Sequence, residues 1–315
     1  MSRKLVGILV MAYGTPDHIA ELPAYYTHIR QGRPPSAAQL EELSARYQAI
    51  GGSSPLGRVT RAQADGLAAE LQARFPDTGF RSVVGFKHAR PFIEDAVETL
   101  VAQGIRTVIA VVMAPHDSGS GIRPYFDRAA QAAGALGLTL RPAVSGWYRQ
   151  PGFIQFWATR IRTLLSSLPL AESRRTLVVF SAHSLPMRVL DGDPYPTQVR
   201  ESADLIAAAA GVGNHAIAWQ SAGRTPEPWL GPDIRDVVRD AWDSGAYRNF
   251  IVCPIGFVSD HLEVLYDDDI ECRSLIETLG GRYLRPPMPN ADRGFISCLA
   301  DAVAGSLGQT ERIAA

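Results

Sequence analysis

Two polar rings stand where a ligand would be placed. The apolar run Val179-Phe180-Ser181-Ala182 ends in His183, followed by Ser184-Leu185-Pro186. The same construction occurs earlier, where Leu9-Val10-Met11-Ala12 delivers Tyr13, followed by Gly14-Thr15-Pro16. Open α/β sheets bind ligands outside the carboxyl ends of their strands, so a ring just past such a run is a first candidate for a site. A histidine there can take a proton near neutral pH or ligate a borderline metal through a ring nitrogen. A histidine merely satisfied at a strand end is the structural alternative. The pairing with Tyr13 favours the functional one.

A second group is acidic. Glu263, Asp267 and Glu271 recur every four residues in the stretch Ser259–Glu271. On a helix that spacing lines the carboxylates along one face, about 6 Å apart per step. Like charges so arranged repel, whereas a hydrated divalent cation, which prefers oxygen ligands, would be drawn along them. Asp260-x-x-Glu263 also fits a capping box, which accounts for Glu263 but not for Glu271. A third group is Arg46-Tyr47 ahead of Gly51-Gly52-Ser53-Ser54-Pro55-Leu56. Ser54 fits an N-cap, with Pro55 opening a helix to about Arg74. A helix N-terminus with a free hydroxyl also binds carboxylates or phosphates. Arg30, Arg33, Arg46 and Arg58 are interleaved with Tyr25, Tyr26 and Tyr47. Guanidinium forks pair with carboxylates and aromatic faces pack on flat apolar ligands, so a planar polycarboxylate would use both. A solvated helix face is the alternative for some of these arginines.

These residues need strands to aim them. Short β-branched apolar runs alternate with long amphipathic segments, the pattern of parallel sheets wrapped by helices. Strands are expected at 5–12, 81–86, 107–113 and 138–144, then at 176–182, 215–220, 249–255 and 281–285. The second set retraces the first. Leu136-Gly137 before Leu140-Arg141-Pro142 returns as Leu279-Gly280 before Leu284-Arg285-Pro286. Gly152-Phe153-Ile154 returns as Gly294-Phe295-Ile296. The expected architecture is therefore α/β, with two similar doubly wound, Rossmann-like halves, each on a four-stranded parallel sheet. The halves are 1–146 and 147–315, with a cleft between them and a terminal helix, about 291–315, packed on the first half. The first half carries a helical excursion at 17–60. The second carries the Pro- and Gly-rich segment 223–232, expected to be an ordered loop.

Composition narrows the partners. The chain has 315 residues, 46% of them hydrophobic and 20% charged, with a formal net charge of −1. That is an ordinary globular balance, with nothing to attract nucleic acid or an anionic membrane. Cys253, Cys272 and Cys298 show no C-x-x-C spacing, so neither a disulfide framework nor an iron–sulfur cluster is expected. Arg3-Lys4 before Leu5–Ala12 mimics a short signal peptide, but its twin at 177–182 is internal, so a buried strand is expected. No P-loop occurs, and Gly119-Ser120-Gly121 lacks the third glycine of a dinucleotide fingerprint. A cytoplasmic protein without a nucleotide cofactor is expected.

The ordered motifs Ser181-Ala182-His183-Ser184-Leu185-Pro186, Trp219-Gln220-Ser221, Trp229-Leu230-Gly231-Pro232 and Gly256–Glu263 resemble those of bacterial ferrochelatases nearly end to end, as does Tyr47–Pro55. The resemblance implies insertion of Fe²⁺ into a porphyrin, both being substrates, with no permanently bound cofactor. It implies that His183 and Glu263 handle iron and the pyrrole protons. Asp267 and Glu271 would form an outer site for Mg²⁺ or another divalent cation. Tyr13 would face the porphyrin from the other side as axial ligand of the product. Arg30, Arg46, Ser54 and Tyr125 would hold propionates, with Tyr47 beside them.

Tyr13 and the Tyr26–Arg30 stretch resemble the coproporphyrin-using branch of monoderm bacteria. Coproporphyrin III has four propionates and suits the surplus of arginines; Gln31 stands where relatives can have a second arginine. The implied partners are these substrates alone, with no nucleic acid and no stable membrane insertion. A monomer is expected, with transient contact to neighbouring haem-pathway enzymes. Protoporphyrin IX as substrate, a cobalt or nickel chelatase of a reduced tetrapyrrole, and a non-catalytic haem or porphyrin carrier are the alternatives.

Overall fold

The apolar runs become strands buried on both faces, which is why they read as continuous rather than alternating. Ile8, Leu9, Val10 and Met11 of β1 are all 0% exposed. A computed structural model of the chain describes residues 4–223 and 225–313, with side chains described to residue 307. The first half runs β1 (Lys4–Ala12), α1 (Leu22–Ile29), α2 (Ala37–Ala49), α3 (Leu56–Arg74), β2 (Thr78–Phe86), α4 (Ile93–Ala102), β3 (Thr107–Val112), α5 (Arg123–Ala135) and β4 (Thr139–Leu140). The second runs α6 (Pro151–Ser166), α7 (Leu170–Ser173), β5 (Thr176–His183), α8 (Tyr195–Ala210), β6 (His215–Gln220), α9 (Ile234–Asp243) and β7 (Asn249–Cys253). A π-helix (Val264–Cys272), α10 (Arg273–Thr278), β8 (Arg282–Leu284) and α11 (Arg293–Ile313) complete it.

The duplication read from the sequence is a duplication of topology. The sheet orders are β2-β1-β3-β4 and β6-β5-β7-β8, the same order with every strand number advanced by four. All pairings are parallel. β1 and β5 therefore occupy equivalent central places, and Tyr13 and His183 sit at their carboxyl ends. One body of buried residues extends from the β1/β3 face of the first sheet through α3, α6, α8 and α11 to the β5/β7 face of the second. The outer faces are covered by α4 and α5 in one half and by α9 and α10 in the other. α11 lies along α3, where Arg74 reaches Asp301 at 2.6 Å and the Ser297 hydroxyl at 2.6 Å.

Several boundaries differ from expectation for definite reasons. The strand expected at 138–144 is only Thr139–Leu140, because Pro142 supplies no ladder donor; Val144 rejoins Val111 through an isolated bridge. Pro254 likewise ends β7 at Cys253. The loop at 223–232 is ordered, with Arg224 outside the described residues. Leu230 donates its N–H to Leu185 O and Met187 donates to Pro228 O, which fastens the loop to the segment after His183. The expected N-terminal run is β1; Arg3 is outside the described residues. No helix among the described residues is long and apolar enough to cross a membrane.

The acidic segment is helical, but its core is a π-helix rather than an α-helix. Its three consecutive aspartates take three separate environments. Asp269 pairs with Arg285 (2.7 Å) and Tyr283 (2.9 Å), Asp267 faces the cleft side, and Asp268 is 0% exposed. Burial pushes Asp268 well above the usual carboxylate range, with the Asp267 charge adding to it. An acid whose folded pKa is raised loses stability as pH climbs above its unfolded value of about 3.9. Asp268→Asn keeps the shape and removes that cost. Its Tm at pH 8 should exceed that of the unaltered protein by about 3 °C, roughly what 1 kcal/mol gives in a chain of this size. The gain should vanish toward pH 4, and thermal denaturation at the two pH values checks both.

Candidate active site

His183 is the last residue of β5 and projects from the carboxyl edge of its sheet. Its Nδ1 meets the Ser184 carbonyl oxygen. A carbonyl only accepts, so Nδ1 carries the proton and Nε2 is the working nitrogen. Nε2 lies 3.5 Å from Glu263 Oε1, and the two side chains are about one-third exposed, at 33% and 31%. Two hydrogen bonds, one to the 223–232 loop and one from the start of α8, hold this end still. Ser184 donates its hydroxyl to Leu230 O at 2.7 Å, and the Tyr195 hydroxyl donates to His183 O at 3.0 Å. Glu263 reaches the histidine because Gly256 lets its segment close on β5: a Cβ there would stand 2.8 Å from Ala182 Cα.

The other Glu263 oxygen faces His261 Nε2 at 3.4 Å. His261 is pinned like His183, with Nδ1 3.0 Å from Ser259 O and its ring 4.6 Å from that of Phe257. Glu263 is thus held between two imidazoles. The motif contains His261, but nothing in the residue pattern marks it as a partner of Glu263. The capping box read at Asp260 does not form; its carboxylate is taken by Asn290 (2.7 Å) and Arg285 (3.1 Å).

Charge in this pair is redistributed strongly. Burial pushes His183 down, but the Glu263 carboxylate outweighs it, and the pKa is pushed up to about 9. Burial pushes Glu263 up, and His183 with His261 overcome this to hold it well below the carboxylate range. At neutral pH the pair is therefore imidazolium and carboxylate. In the resting protein His183 already carries a proton on the nitrogen that faces Glu263.

Tyr13 belongs to the first half and is 42% exposed. The glycine after it has φ of +92°, and a Cβ there would stand 2.8 Å from Phe86 Cβ, so the turn that presents the ring requires glycine. The ring packs on His88 at 4.6 Å, and His88 Nδ1 lies 3.0 Å from His28 Nδ1. Burial raises the Tyr13 pKa, and the Glu263 charge raises it further. Glu263 also raises Tyr47 and Tyr125, so groups of the first half feel the carboxylate of the second across the cleft.

The remaining expected residues divide. Arg30 has its guanidinium 5.8 Å from the Tyr26 ring centroid and, among the described residues, no carboxylate partner. Ser54 is half-buried; Pro55, not Ser54, is the cap residue of α3, although Ser54 Oγ accepts from Leu56 N at 3.4 Å. Tyr125 is 5% exposed, with the Lys87 ammonium 5.1 Å from its ring centroid. Tyr47 is turned inward. It is 2% exposed and its hydroxyl is 2.8 Å from Thr15 Oγ1, so it braces the turn after Tyr13.

Arg46 crosses the cleft. Its Nη1 lies 3.4 Å from Asp267 Oδ1, and its guanidinium stands 4.8 Å from the Tyr266 ring centroid. The Asp267 contact uses one end of the guanidinium, which keeps further N–H donors for a ligand carboxylate. Asp267 and Glu271, expected as an outer cation site, both face arginines. Asp267 is taken by Arg46 and by the Ser221 hydroxyl, and Glu271 lies 3.7 Å from Arg235. These groups line a cavity of about 170 Å³ in which guanidinium groups supply the positive charge. Among the described residues no three His, Cys, Asp or Glu side chains gather to hold a metal ion. Burial foremost, with the Glu263 and Glu271 charges, raises Asp267 to about 6 against the Ser221 hydrogen bond and Arg46.

Comparison with known proteins gives this geometry a context. The ferrochelatase family model matches residues 5–307. A coproporphyrin III ferrochelatase of Geobacillus kaustophilus is 48% identical over 304 residues, 96% of each chain. One of Halalkalibacterium halodurans is 46% identical over 312 residues, 99% of this chain and 100% of the other. Among solved structures, the cobalt complex of the sirohydrochlorin chelatase SirB from Bacillus subtilis subspecies spizizenii shares the fold. Its TM-score is 0.54 at 12% identity, covering 97% of both chains. A fold of two facing α/β halves, a histidine–carboxylate pair opposite a tyrosine and a match along nearly the whole sequence converge: the chain belongs to the ferrochelatase family.

Proposed function

We propose that this protein inserts Fe²⁺ into coproporphyrin III, giving Fe-coproporphyrin III (coproheme) for haem biosynthesis. The observation that carries the reading is the His183–Glu263 ion pair at the carboxyl end of β5, set against Tyr13 at the equivalent end of β1. The relatives named for coproporphyrin III support the choice of porphyrin. The working unit is one chain of two halves, divided near residue 146, acting in the cytoplasm without a resident cofactor. Transient contact with enzymes that make its porphyrin or consume its product completes the proposal.

The chemistry follows from the pair. A free porphyrin carries two inner N–H protons that leave as Fe²⁺ enters, and a flat macrocycle hides its lone pairs in the ring plane. A cleft that fits a puckered ring exposes them and favours the transition state over the substrate. In the resting protein the carboxylate holds a proton on His183. A dication approaching Glu263 cancels that charge, so His183 gives its Nε2 proton to solvent in the partly open cleft and the freed nitrogen takes a pyrrole proton. Passing that one to solvent as well lets it take the second, and two protons leave for each Fe²⁺ that enters. The second Glu263 oxygen, against His261, offers an outlet for protons away from the porphyrin. Arg30, which has no carboxylate partner among the described residues, and Arg46, through the donors that Asp267 does not engage, would receive propionates.

The porphyrin preference is tested by anaerobic metallation with Fe²⁺ of coproporphyrin III and protoporphyrin IX at equal concentration. Faster metallation of coproporphyrin III is expected. The reverse order removes coproporphyrin III from the account and leaves iron insertion standing.

A further inference from the structure

The second half's histidine is held by a tyrosine that the first half itself holds in place. The loop after β3, Pro115–Gly121, lies against the N-terminus of α8. Asp117 donates its N–H to Gln198 Oε1 at 2.7 Å, and Gly119 donates its N–H to Asp193 Oδ2 at 2.8 Å. The other Asp193 oxygen accepts from Tyr195 N at 2.9 Å, so one carboxylate ties the loop to the first residue of α8. His116 of the same loop is 2% exposed, with neither ring nitrogen hydrogen-bonded among the described residues. It serves by shape: its ring stacks on Tyr148 at 5.5 Å and meets the edge of Tyr195 at 6.2 Å. Trp219 closes the box from the far side, 5.6 Å from Tyr195. Only the Tyr195 hydroxyl leaves this box for the site, donating to the backbone oxygen of His183 at 3.0 Å.

We propose that Tyr195 is a positioning residue for His183, and that the loop Pro115–Gly121, through His116 and Asp193, fixes it there. The porphyrin-facing half thereby sets the aim of the proton-accepting histidine in the other half. The proposal rests on the reading of His183 as that acceptor. Its physical basis is that the His183 carbonyl and the Ser184 carbonyl are adjacent in the chain. The hydroxyl fixes the first, and the second pins Nδ1, so the direction of Nε2 toward Glu263 follows from where Tyr195 stands. A group displaced by a fraction of an ångström from its productive geometry loses rate without losing ligand affinity.

Tyr195→Phe keeps the ring and removes only the hydroxyl. Tyr148→Phe is its control, because the Tyr148 hydroxyl donates to Glu201, away from His183. With coproporphyrin III and Fe²⁺, Tyr195→Phe should lower kcat between about tenfold and a hundredfold and leave the porphyrin KM within about twofold. Tyr148→Phe should leave both unchanged. In the porphyrin-free protein, the His183 Nδ1 proton resonance should move in Tyr195→Phe and stay in Tyr148→Phe. That signal needs no turnover, so it remains readable if chelation itself is not observed. An unmoved resonance with unaltered kcat in Tyr195→Phe overturns the proposal. So do equal losses in both variants accompanied by a lower Tm, which would make the box a matter of stability alone.

Discussion

His183→Ala should lower metallation of coproporphyrin III by about 10²- to 10⁴-fold, the range that a positioned acid–base group contributes. Porphyrin affinity should change by no more than about threefold, because the propionate and ring contacts expected at Arg30, Ser54 and Tyr13 lie outside the substitution. The split between rate and affinity is what assigns the role. A structural histidine satisfied at a strand end would show its loss in Tm, with the activity of the remaining folded protein intact. His183 does not have the environment of such a residue. Its Nε2 makes no hydrogen bond to backbone among the described residues and faces a carboxylate in a partly open cleft. Porphyrin fluorescence titration and initial-rate measurement on the same preparation separate the two outcomes.

Glu263→Gln should have the second largest effect, a loss of about 10²-fold in kcat together with a displaced pH profile. The sign of the displacement follows from the charges. His183 works as a base only when deprotonated, so kcat/KM, which reports the free protein, should rise with pH toward about 9, where its pKa is held by Glu263. With glutamine the carboxylate is gone while burial remains, and burial favours neutral imidazole. The limb should then fall below about 6.5, the ordinary value for histidine. The same pair makes a matching statement about stability. The His183 contribution, from a raised folded pKa, is complete below about pH 6.5 and is lost as pH climbs through about 9. The Glu263 contribution, from a depressed one, is present above about pH 4.3 and is lost on acidification. A pH–rate profile that keeps its limb near 9 in Glu263→Gln would remove the carboxylate as the cause.

The sequence made His183, Tyr13 and the duplicated sheets legible for one reason. Strands buried on both faces read as nearly continuous apolar runs, and in the two central ones a polar ring follows the alanine at the end. The equivalence of β1 and β5 followed from those runs, and the sheet orders repeat as the motifs do. What stayed hidden depends on partners brought together only by the fold. Arg46 and Asp267 are 221 residues apart, so nothing local reveals that the arginine takes the carboxylate assigned to a cation. Tyr47 looked like a ligand surface because it neighbours Arg46, whereas its helix turns it inward to Thr15. The four-residue spacing of Glu263, Asp267 and Glu271 was read as an α-helical face, but the segment from Val264 adopts the wider π register. Tyr195 carried no signal at all, because its duty is to a backbone oxygen, which no residue pattern can advertise.

The most direct test of the account is the visible spectrum of protein-bound coproporphyrin III as Fe²⁺ is added without oxygen, followed from the mixing time onward. The free-base bands should give way to those of Fe-coproporphyrin III over many turnovers, and His183→Ala should bind the porphyrin without this change. Retention of the free-base spectrum by the intact protein, with porphyrin bound and Fe²⁺ in excess, would contradict it.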